Sequence, residues 1–345
     1  MNLTHLLGTE LPIIQAPMAG VQGHALATAV NQAGGLGSLP CAMLSPQMLR
    51  DELVAQRAGS TRPVNVNFFC HVPPPPDAAR EAAWRDALAP YYREFGIDTE
   101  PAPGAGRAPF SRELAELLSE FKPAVVSFHF GLPEPELVAL VRAWGAKVLS
   151  SATTLAEARW LEARGVDAVI AQGVEAGGHR GMFLSDDLST QCGSLALLPQ
   201  VVRAVRCLVI AAGGFADAAG VRAALALGAA GVQVGTAYLL CPEATTSSVH
   251  RAALRSDAAQ HTALTNLFTG RPARGIVNRL MRELGPLSAR APAFPLAGAA
   301  LAPLRARAEG LGSGDFSPLW SGQNASGCKA IPAAALTREL AEGVR

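Results

Sequence analysis

A histidine in a glycine-rich loop is the residue of this 345-residue chain best placed for acid–base or anion-binding chemistry. His179 ends the stretch GVEAGGH at 173–179, which follows an apolar run ending at Gln172. Imidazole has an ordinary pKa near 6.5, so a histidine there can accept a proton or bind an anion near neutral pH. We therefore predict that His179 is catalytic and binds substrate. His129, in SFHFG, can reach the same place, and we expect it to bind substrate as well.

Two glycine-bearing segments indicate a phosphate site. AAGG at 211–214 and QVGT at 233–236 each end a short apolar run. Glycines leave backbone N–H groups open to a ligand, and a helix beginning after Gly214 would add its positive N-terminal dipole. Tight turns would explain either pair alone, but two such pairs at neighbouring strand ends favour phosphate binding. Because no Walker lysine motif and no GxGxxG after the first strand occurs, a flavin or sugar phosphate is favoured over a dinucleotide.

Three other side chains leave alternatives open. The amides of Asn67 and Gln172 suit hydrogen bonds to a heteroaromatic ring edge such as that of a flavin, or they bond each other inside the fold. Cys192, in TQCGS, lies where some barrel dehydrogenases carry a nucleophilic cysteine. No neighbouring residue would activate its thiolate, so an unreactive thiol is the favoured interpretation.

The elements that must position these residues alternate between short apolar strands and helices. Parallel pairing through βαβ units follows from this alternation. Eight units fit a closed (β/α)8 TIM barrel, whose active sites lie at the C-terminal strand ends; a doubly wound sheet is the competing architecture. The predicted strands are 13–19, 36–40, 63–69, 124–130, 147–151, 167–172, 207–212 and 231–235.

We divide the chain into a barrel over 1–240 and a C-terminal extension over 241–345. An insertion over 72–122, which contains four consecutive prolines, interrupts the rhythm after strand 3. The extension lacks a βα pattern, and we expect it to pack on the barrel, with 296–309 forming a helix and 312–324 a closing segment. Either piece could cover the active site.

Composition excludes several classes of protein. Lys and Arg number 29 against 28 Asp and Glu, so the basic surface of a nucleic-acid-binding protein is not expected. Six cysteines without CxxC or zinc-like spacing predict free thiols and no metal site. Without a signal-peptide pattern or a run of about 18 apolar residues, we expect no membrane association and a cytoplasmic location.

Several longer motifs resemble the nitronate monooxygenase family, formerly called 2-nitropropane dioxygenases. The motifs are QAPMAG at 15–20, VNVNFF at 64–69, AQGVEAGGHRG at 171–181, AAGGFAD at 211–217, VQVGTAYLLCPE at 232–243 and GSGDFSPLWSGQNA at 312–325, the last similar to the class I bacterial enzymes. The resemblance covers nearly the whole chain and implies an FMN-dependent TIM barrel that uses O2. It implies His179 as the catalytic histidine and His129 as a second active-site histidine. The implied FMN contacts are Met18, Asn67, Gln172, Gly177, Gly214, Gln233, Val234, Gly235 and Thr236.

The activity that this resemblance implies is oxidation of alkyl nitronates, with propionate 3-nitronate as the suggested substrate, to a carbonyl compound and nitrite. Such a reaction would detoxify the nitronate through one-electron transfer to the flavin. Two alternatives stay open: a flavin-dependent NAD(P)H reductase of enoyl-thioester or quinone type, and a flavin-binding protein without catalysis. Where relatives use Tyr or Lys for substrate, this chain has Phe294 and Arg305 or Arg307, to which we assign no role. Homo-oligomerisation is left open.

Overall fold

The computed structural model describes residues 2–98 and 107–344, so residues 99–106 of the insertion lie outside the described part. The described residues contain eleven strands. In chain order they are β1 Ile13–Gln15, β2 Gly37–Pro40, β3 Val64–Phe69, β4 Val125–His129, β5 Lys147–Ala152, β6 Ala168–Gln172, β7 Gly178–His179, β8 Leu208–Ala212, β9 Gly231–Val234, β10 Thr262–Thr265 and β11 Ala273–Ile276.

Eight of these strands form a parallel barrel. Their order is β1-β9-β8-β6-β5-β4-β3-β2, and a parallel bridge between Ile14 and Leu36 joins the two ends of the row. The Gln15 N–H donates to the Leu36 carbonyl at 2.9 Å, and the Leu36 N–H donates to that of Ile13 at 2.9 Å. Because the first and second strands pair, the sheet is closed, which confirms the TIM barrel and excludes the doubly wound sheet.

Within the described residues thirteen α-helices accompany the strands, and local signals begin several of them. Ser45 caps the third helix through its side chain, with Pro46 in the first turn, and Ser111 caps the fifth. The helices are α1 Leu3–Leu7, α2 His24–Gln32, α3 Pro46–Gly59, α4 Ala78–Glu94, α5 Arg112–Phe121, α6 Pro135–Ala143, α7 Leu155–Ala163, α8 Ser194–Ala204, α9 Ala218–Ala226, α10 Ser248–Leu254, α11 Arg279–Leu284, α12 Ala302–Gly310 and α13 Ala333–Ala341.

The N-terminal end of the barrel is closed by apolar side chains. Leu3 and Leu7 of α1 are buried against inward-facing residues such as Ile14 and Leu149. A larger core lies between the strands and the surrounding helices. With one end sealed by hydrocarbon, a polar ligand can enter only at the C-terminal ends of the strands.

The segment between β3 and β4 has two parts with different roles. Helix α5 packs between α3 and α6 and buries Ala115, Leu117 and Leu118, so it is the third helix of the regular barrel. Helix α4 instead belongs to a separate apolar cluster, where Trp84 and Leu88 pack with residues of the C-terminal extension. Only the portion before α5 therefore departs from the βα rhythm.

The C-terminal extension is more ordered than its sequence pattern predicts. Strands β10 and β11 form an antiparallel sheet whose third strand is β7, within the glycine-rich loop. The helix predicted over 296–309 is wrong in its first half, where a 3-10 turn, Leu296–Gly298, precedes α12, which has a proline in its first turn. Helix α12 packs in the α4 cluster through Leu304 rather than in the barrel core.

Candidate functional site

A cavity lies at the C-terminal ends of the barrel strands. Ten of the eleven sequence-predicted site residues line it, which brings the glycine-rich loop, strand β3 and the two phosphate-type turns together. These ten are Met18, Asn67, His129, Gln172, Gly177, His179, Gly214, Gln233, Gly235 and Thr236.

Val234 is the predicted residue whose side chain lies elsewhere. Successive residues of a strand face opposite sides, so Gln233 and Gly235 face the cavity while Val234 packs in the outer core. The Val234 carbonyl accepts a hydrogen bond from the Ala16 N–H at 2.8 Å. The same period of two places Asn65 inside the barrel with Asn67, but Asn65 lies deeper and donates to the Ser38 hydroxyl at 2.9 Å.

His179 is held at its backbone and at its ring. In β7 its Cα pairs with Ala273 of β11, so the C-terminal extension fixes this part of the loop. Its carbonyl accepts hydrogen bonds from Gln172 Nε2 at 3.0 Å and from His129 Nε2 at 3.2 Å. Its ring Nε2 lies 3.0 Å from the hydroxyl oxygen of the buried Thr269. Nδ1, which bonds to no residue within 2–98 or 107–344, is left for a ligand.

Both ring nitrogens of His129 are already engaged by the protein. Because Nε2 faces the His179 carbonyl, it must be the protonated nitrogen, and Nδ1 accepts from the Ser151 hydroxyl at 3.0 Å. Burial and the charges of Arg271 and Arg180 lower the pKa of His129 to about 4, against a smaller opposing effect of its hydrogen bond. His129 is therefore a neutral side chain that supports the backbone of His179.

The electrostatics of the site keep His179 neutral near pH 7. Burial lowers its pKa well below 6.5, and the positive charges of Arg107 and Arg271 lower it further. An anion bound beside the ring would act in the opposite direction and stabilise a protonated imidazole. The neutral imidazole can therefore donate a hydrogen bond to a negatively charged substrate, or accept a proton from an acidic one.

The two arginines near His179 escaped the sequence analysis because each lies in a region without a recognisable motif. Arg107 is the first described residue after 99–106, and it lines the cavity. Arg271 lies behind the wall, where its guanidinium stacks over Phe130, 4.2 Å from the ring centroid, and donates to the Met182 carbonyl. Arg305, by contrast, is bonded to Glu309 at the surface.

Aromatic rings surround the catalytic candidate. Phe294 packs edge-on against His179, with ring centroids 5.4 Å apart, and Trp320 lies 5.7 Å from the same ring. Phe69 and Phe130 complete the cluster. Phe294 and Trp320 both come from the C-terminal extension, so residues from distant parts of the chain give His179 its apolar surroundings.

At the opposite side of the cavity the two glycine turns form an open backbone cradle. Gly213 and Gly214 have φ values of +102° and +84°, a conformation that side-chain-bearing residues rarely adopt. The N–H groups of Gly214, Phe215 and Gly235 donate to no acceptor in the described part of the chain. Unpaired N–H groups converging without side chains are the donors that a phosphate requires. The cradle therefore fits a phosphate group.

The two cavity amides do not bond each other. Asn67 Nδ2 donates to the Ser127 hydroxyl at 2.9 Å. Gln172 uses both ends of its amide within the loop, donating to the His179 carbonyl and accepting from the Gly181 N–H at 2.8 Å. Gln172 thus helps to shape the loop, whatever ligand it also contacts.

The structure does not support a cysteine nucleophile or a metal site in the described residues. Burial, followed by the charge of Glu175, raises the pKa of Cys192, so its thiol is not activated as a nucleophile. Within 2–98 and 107–344 no group of three or more His, Cys, Asp or Glu side chains could hold a metal ion. No helix in the described residues has the length and apolar character needed to cross a membrane.

Comparison with known proteins gives a consistent result. The family profile described as nitronate monooxygenase matches residues 1–343. The chain is 43% identical to a nitronate monooxygenase of Pseudomonas aeruginosa, covering 100% of this chain and 99% of the relative, and 43% identical to one of Paraburkholderia phytofirmans, covering 98% and 93%. A solved structure of nitroalkane oxidase from Streptomyces ansochromogenes superposes with a TM-score of 0.90 at 40% identity, covering 99% of this chain and 98% of the other.

Proposed function

Because the chain belongs to the nitronate monooxygenase family, we propose that it oxidises propionate 3-nitronate with O2, using FMN, to a carbonyl compound and nitrite. Oxidation of nitronates by an oxidoreductase is the activity of the family, and the cofactor, the oxidant and the particular nitronate are the proposed refinements. We further propose that the enzyme detoxifies the nitronate in the cytoplasm.

The backbone cradle and the strand ends are the proposed FMN site. The unpaired N–H groups of Gly214 and Gly235 would hold the phosphate, with Thr236 beside them, while Met18 and Asn67 would flank the ring system. Further proposed contacts come from Gln172, Gly177 and Gln233, and from Val234 through its backbone alone. The chemistry that FMN supplies when bound is one-electron oxidation of the nitronate, with O2 as the final oxidant.

His179 is the residue that we assign to the substrate. A nitronate is a resonance-stabilised anion, and a hydrogen-bond donor beside its oxygens would bind and orient it. With a neutral nitroalkane, the neutral imidazole would instead accept the proton from the carbon next to the nitro group. His129, which we propose near the substrate as well, supports this arrangement through the His179 carbonyl.

A single observation carries the proposal: a neutral histidine, anchored on three sides, lies in a positively charged cavity that also contains a phosphate-type cradle. The anchoring matters because a ring held in one orientation presents the same nitrogen to every substrate molecule. The surrounding rings, including Phe294, exclude water from the reacting groups.

Replacement of His179 by Asn tests the assignment. We expect the variant to retain FMN, measured by its absorbance near 450 nm, and to lose most of its O2 uptake with propionate 3-nitronate. His5→Asn, at an exposed position in α1, is the matched control and should behave like the wild-type protein. Wild-type turnover in His179→Asn would remove His179 from the mechanism.

The same preparation separates the two alternatives. Rapid anaerobic bleaching of the flavin by NADH or NADPH would identify a reductase. Bound FMN without turnover on any nitronate would indicate a flavin-binding protein without catalysis. A colourless protein that fails to take up added FMN would contradict the proposed cofactor site itself.

A further inference from the structure

We propose that Arg107 determines substrate specificity by binding a carboxylate at the far end of the nitronate. This inference rests on the proposed function and concerns the part of the substrate that does not react. It assigns a role to a residue of the insertion, a region outside every sequence motif described above.

The charge distribution of the cavity singles out Arg107. Among the described residues that line the cavity it is the only Lys, Arg, Asp or Glu. None of the ion pairs within 2–98 and 107–344 includes Arg107. Its Nη1 is buried and has no hydrogen-bond partner in that part of the chain. A guanidinium nitrogen that is buried without a partner or a counter-charge is costly, and an anionic ligand would offset that cost.

A second polar group near Arg107 is also unsatisfied. His71 is 5% exposed, neither ring nitrogen makes a hydrogen bond of ordinary length among the described residues, and the Arg107 backbone is close enough to raise its pKa against the larger lowering effect of burial. Its ring packs edge-on against Phe294, with centroids 4.8 Å apart. The Arg107 guanidinium, at 5.6 Å, and the His179 ring, at 5.4 Å, pack against the same Phe294 ring. Unpaired donors from Arg107 and His71 therefore lie in one region.

Shared packing against Phe294 limits how far Arg107 can lie from His179. The Arg107 Cζ is 5.6 Å from the Phe294 ring centroid, and the His179 ring centroid is 5.4 Å from the same point. The sum of these two distances limits the separation of Cζ from the imidazole centroid to about 11 Å. A chain of a few carbons can span this distance with its nitronate at His179 and its carboxylate at Arg107. The aliphatic middle would lie against the Phe294 ring.

The phosphate cradle does not compete for this role. It is built from backbone N–H groups of Gly214 and Gly235, whereas the donors of Arg107 belong to a side chain that packs over the Phe294 ring. The guanidinium offers paired donors in a planar fork, which matches a carboxylate. Two anionic groups, the cofactor phosphate and the substrate carboxylate, thus have separate and chemically different sites.

The test compares two nitronates that differ only at the far end. Propionate 3-nitronate carries a carboxylate where propyl 1-nitronate carries a methyl group, on the same three-carbon chain. In Arg107→Met we expect kcat/KM for the first to fall 10- to 100-fold, mainly through KM, which corresponds to about 1.4 to 2.8 kcal/mol. The value for propyl 1-nitronate should change less than about twofold, since its methyl group forms no ionic hydrogen bond.

Further variants and a binding measurement complete the experiment. Arg107→Lys should recover part of the loss, and Arg107→Gln replaces the Met variant if that one does not fold. Arg112→Met, in the same region with a side chain 62% exposed, is the matched control and should resemble wild type. Succinate, which supplies carboxylates without a nitronate, should inhibit the wild-type enzyme competitively and inhibit Arg107→Met at least 10-fold more weakly.

Three results would overturn the inference or redirect it. Equal losses on both nitronates would show that Arg107 supports the structure of the site rather than the tail of the substrate. Unchanged kcat/KM on propionate 3-nitronate would show that Arg107 binds no carboxylate. Unchanged succinate binding in Arg107→Met would refute the carboxylate site. If the wild-type enzyme oxidises neither nitronate, the proposed function has failed, and the succinate measurement still tests the carboxylate site by itself.

Discussion

The backbone of the glycine-rich loop lies in close contact with the backbone of the C-terminal extension at Gly177, and Gly177→Ala tests this contact. A Cβ at Gly177 would lie 2.5 Å from the Gly322 backbone nitrogen and 2.6 Å from the Ser321 carbonyl carbon. Such distances between non-bonded atoms do not occur without displacement of the backbone. The methyl group must therefore push residues 321–324 away from the loop.

The cost follows from the contacts that this displacement breaks. Gly322 N–H donates to the Thr236 hydroxyl at 3.0 Å, and Gln323 N–H donates to the Glu175 carbonyl at 2.9 Å. Each hydrogen bond contributes about 1 kcal/mol net, and overpacking adds about 1 to 3 kcal/mol. We expect the free energy of unfolding to fall by about 3 to 5 kcal/mol. Trp320 and Gly322 also line the cavity, so FMN binding should weaken.

Urea denaturation and titration of the apoprotein with FMN measure the two effects. Gly310→Ala is the matched control, because a Cβ at that position in α12 meets nothing within 4 Å. We expect its stability and FMN affinity to stay within about 1 kcal/mol of wild type. If Gly177→Ala unfolds at the wild-type urea concentration and binds FMN equally well, the close approach of the two backbones is refuted.

Two further predictions concern the histidines. Thr269→Val removes the hydroxyl that holds Nε2 of His179. Because that hydrogen bond contributes about 0.5 to 1.5 kcal/mol, we expect kcat to fall about 3- to 10-fold, with FMN content unchanged and activity restored in Thr269→Ser. Equal activity of the Val and Ser variants would contradict this. Burial lowers the pKa of both His129 and His250 to about 4 in the folded protein, so the unfolded chain binds more protons than the native one between pH 4 and 6.5. Stability should therefore be constant above about pH 6.5 and fall by about 3 kcal/mol for each histidine, about 6 kcal/mol together, as the pH decreases to 4, and a urea midpoint that does not move over this range would contradict the assignment.

Local patterns predict the barrel well because they act over a few residues. The third strand is predicted at 63–69 and observed at Val64–Phe69, and the sixth is predicted at 167–172 and observed at Ala168–Gln172. Serine caps, glycine stops and apolar runs each depend on neighbours in the chain, so a sequence displays them directly. The first strand is the exception: it ends at Gln15 rather than at residue 19, because Pro17 lies within the predicted range and cannot donate a ladder hydrogen bond.

These local patterns do not predict contacts between segments that are distant in the sequence. Strand β7 has only two residues, and it exists because Gly178 and His179 find partners in β11, more than ninety positions later. Neither segment alone shows an alternating pattern long enough to predict a strand. Helix α13 shows the same limit: it buries Leu336 and Leu340 in the barrel core, yet the sequence interpretation assigned no helix there.

The sequence alone determined the class of fold, the end of the barrel that carries the site and ten of the residues that line it. It could do so because strand ends and glycine turns are local, and a closed parallel barrel brings all its C-terminal strand ends to one place. Only the tertiary structure decided how His179 is held by Thr269 and β11, and that Arg107 and Phe294 face it. The orientation and charge of a site depend on which distant segments meet, and no short-range pattern in a chain encodes that meeting.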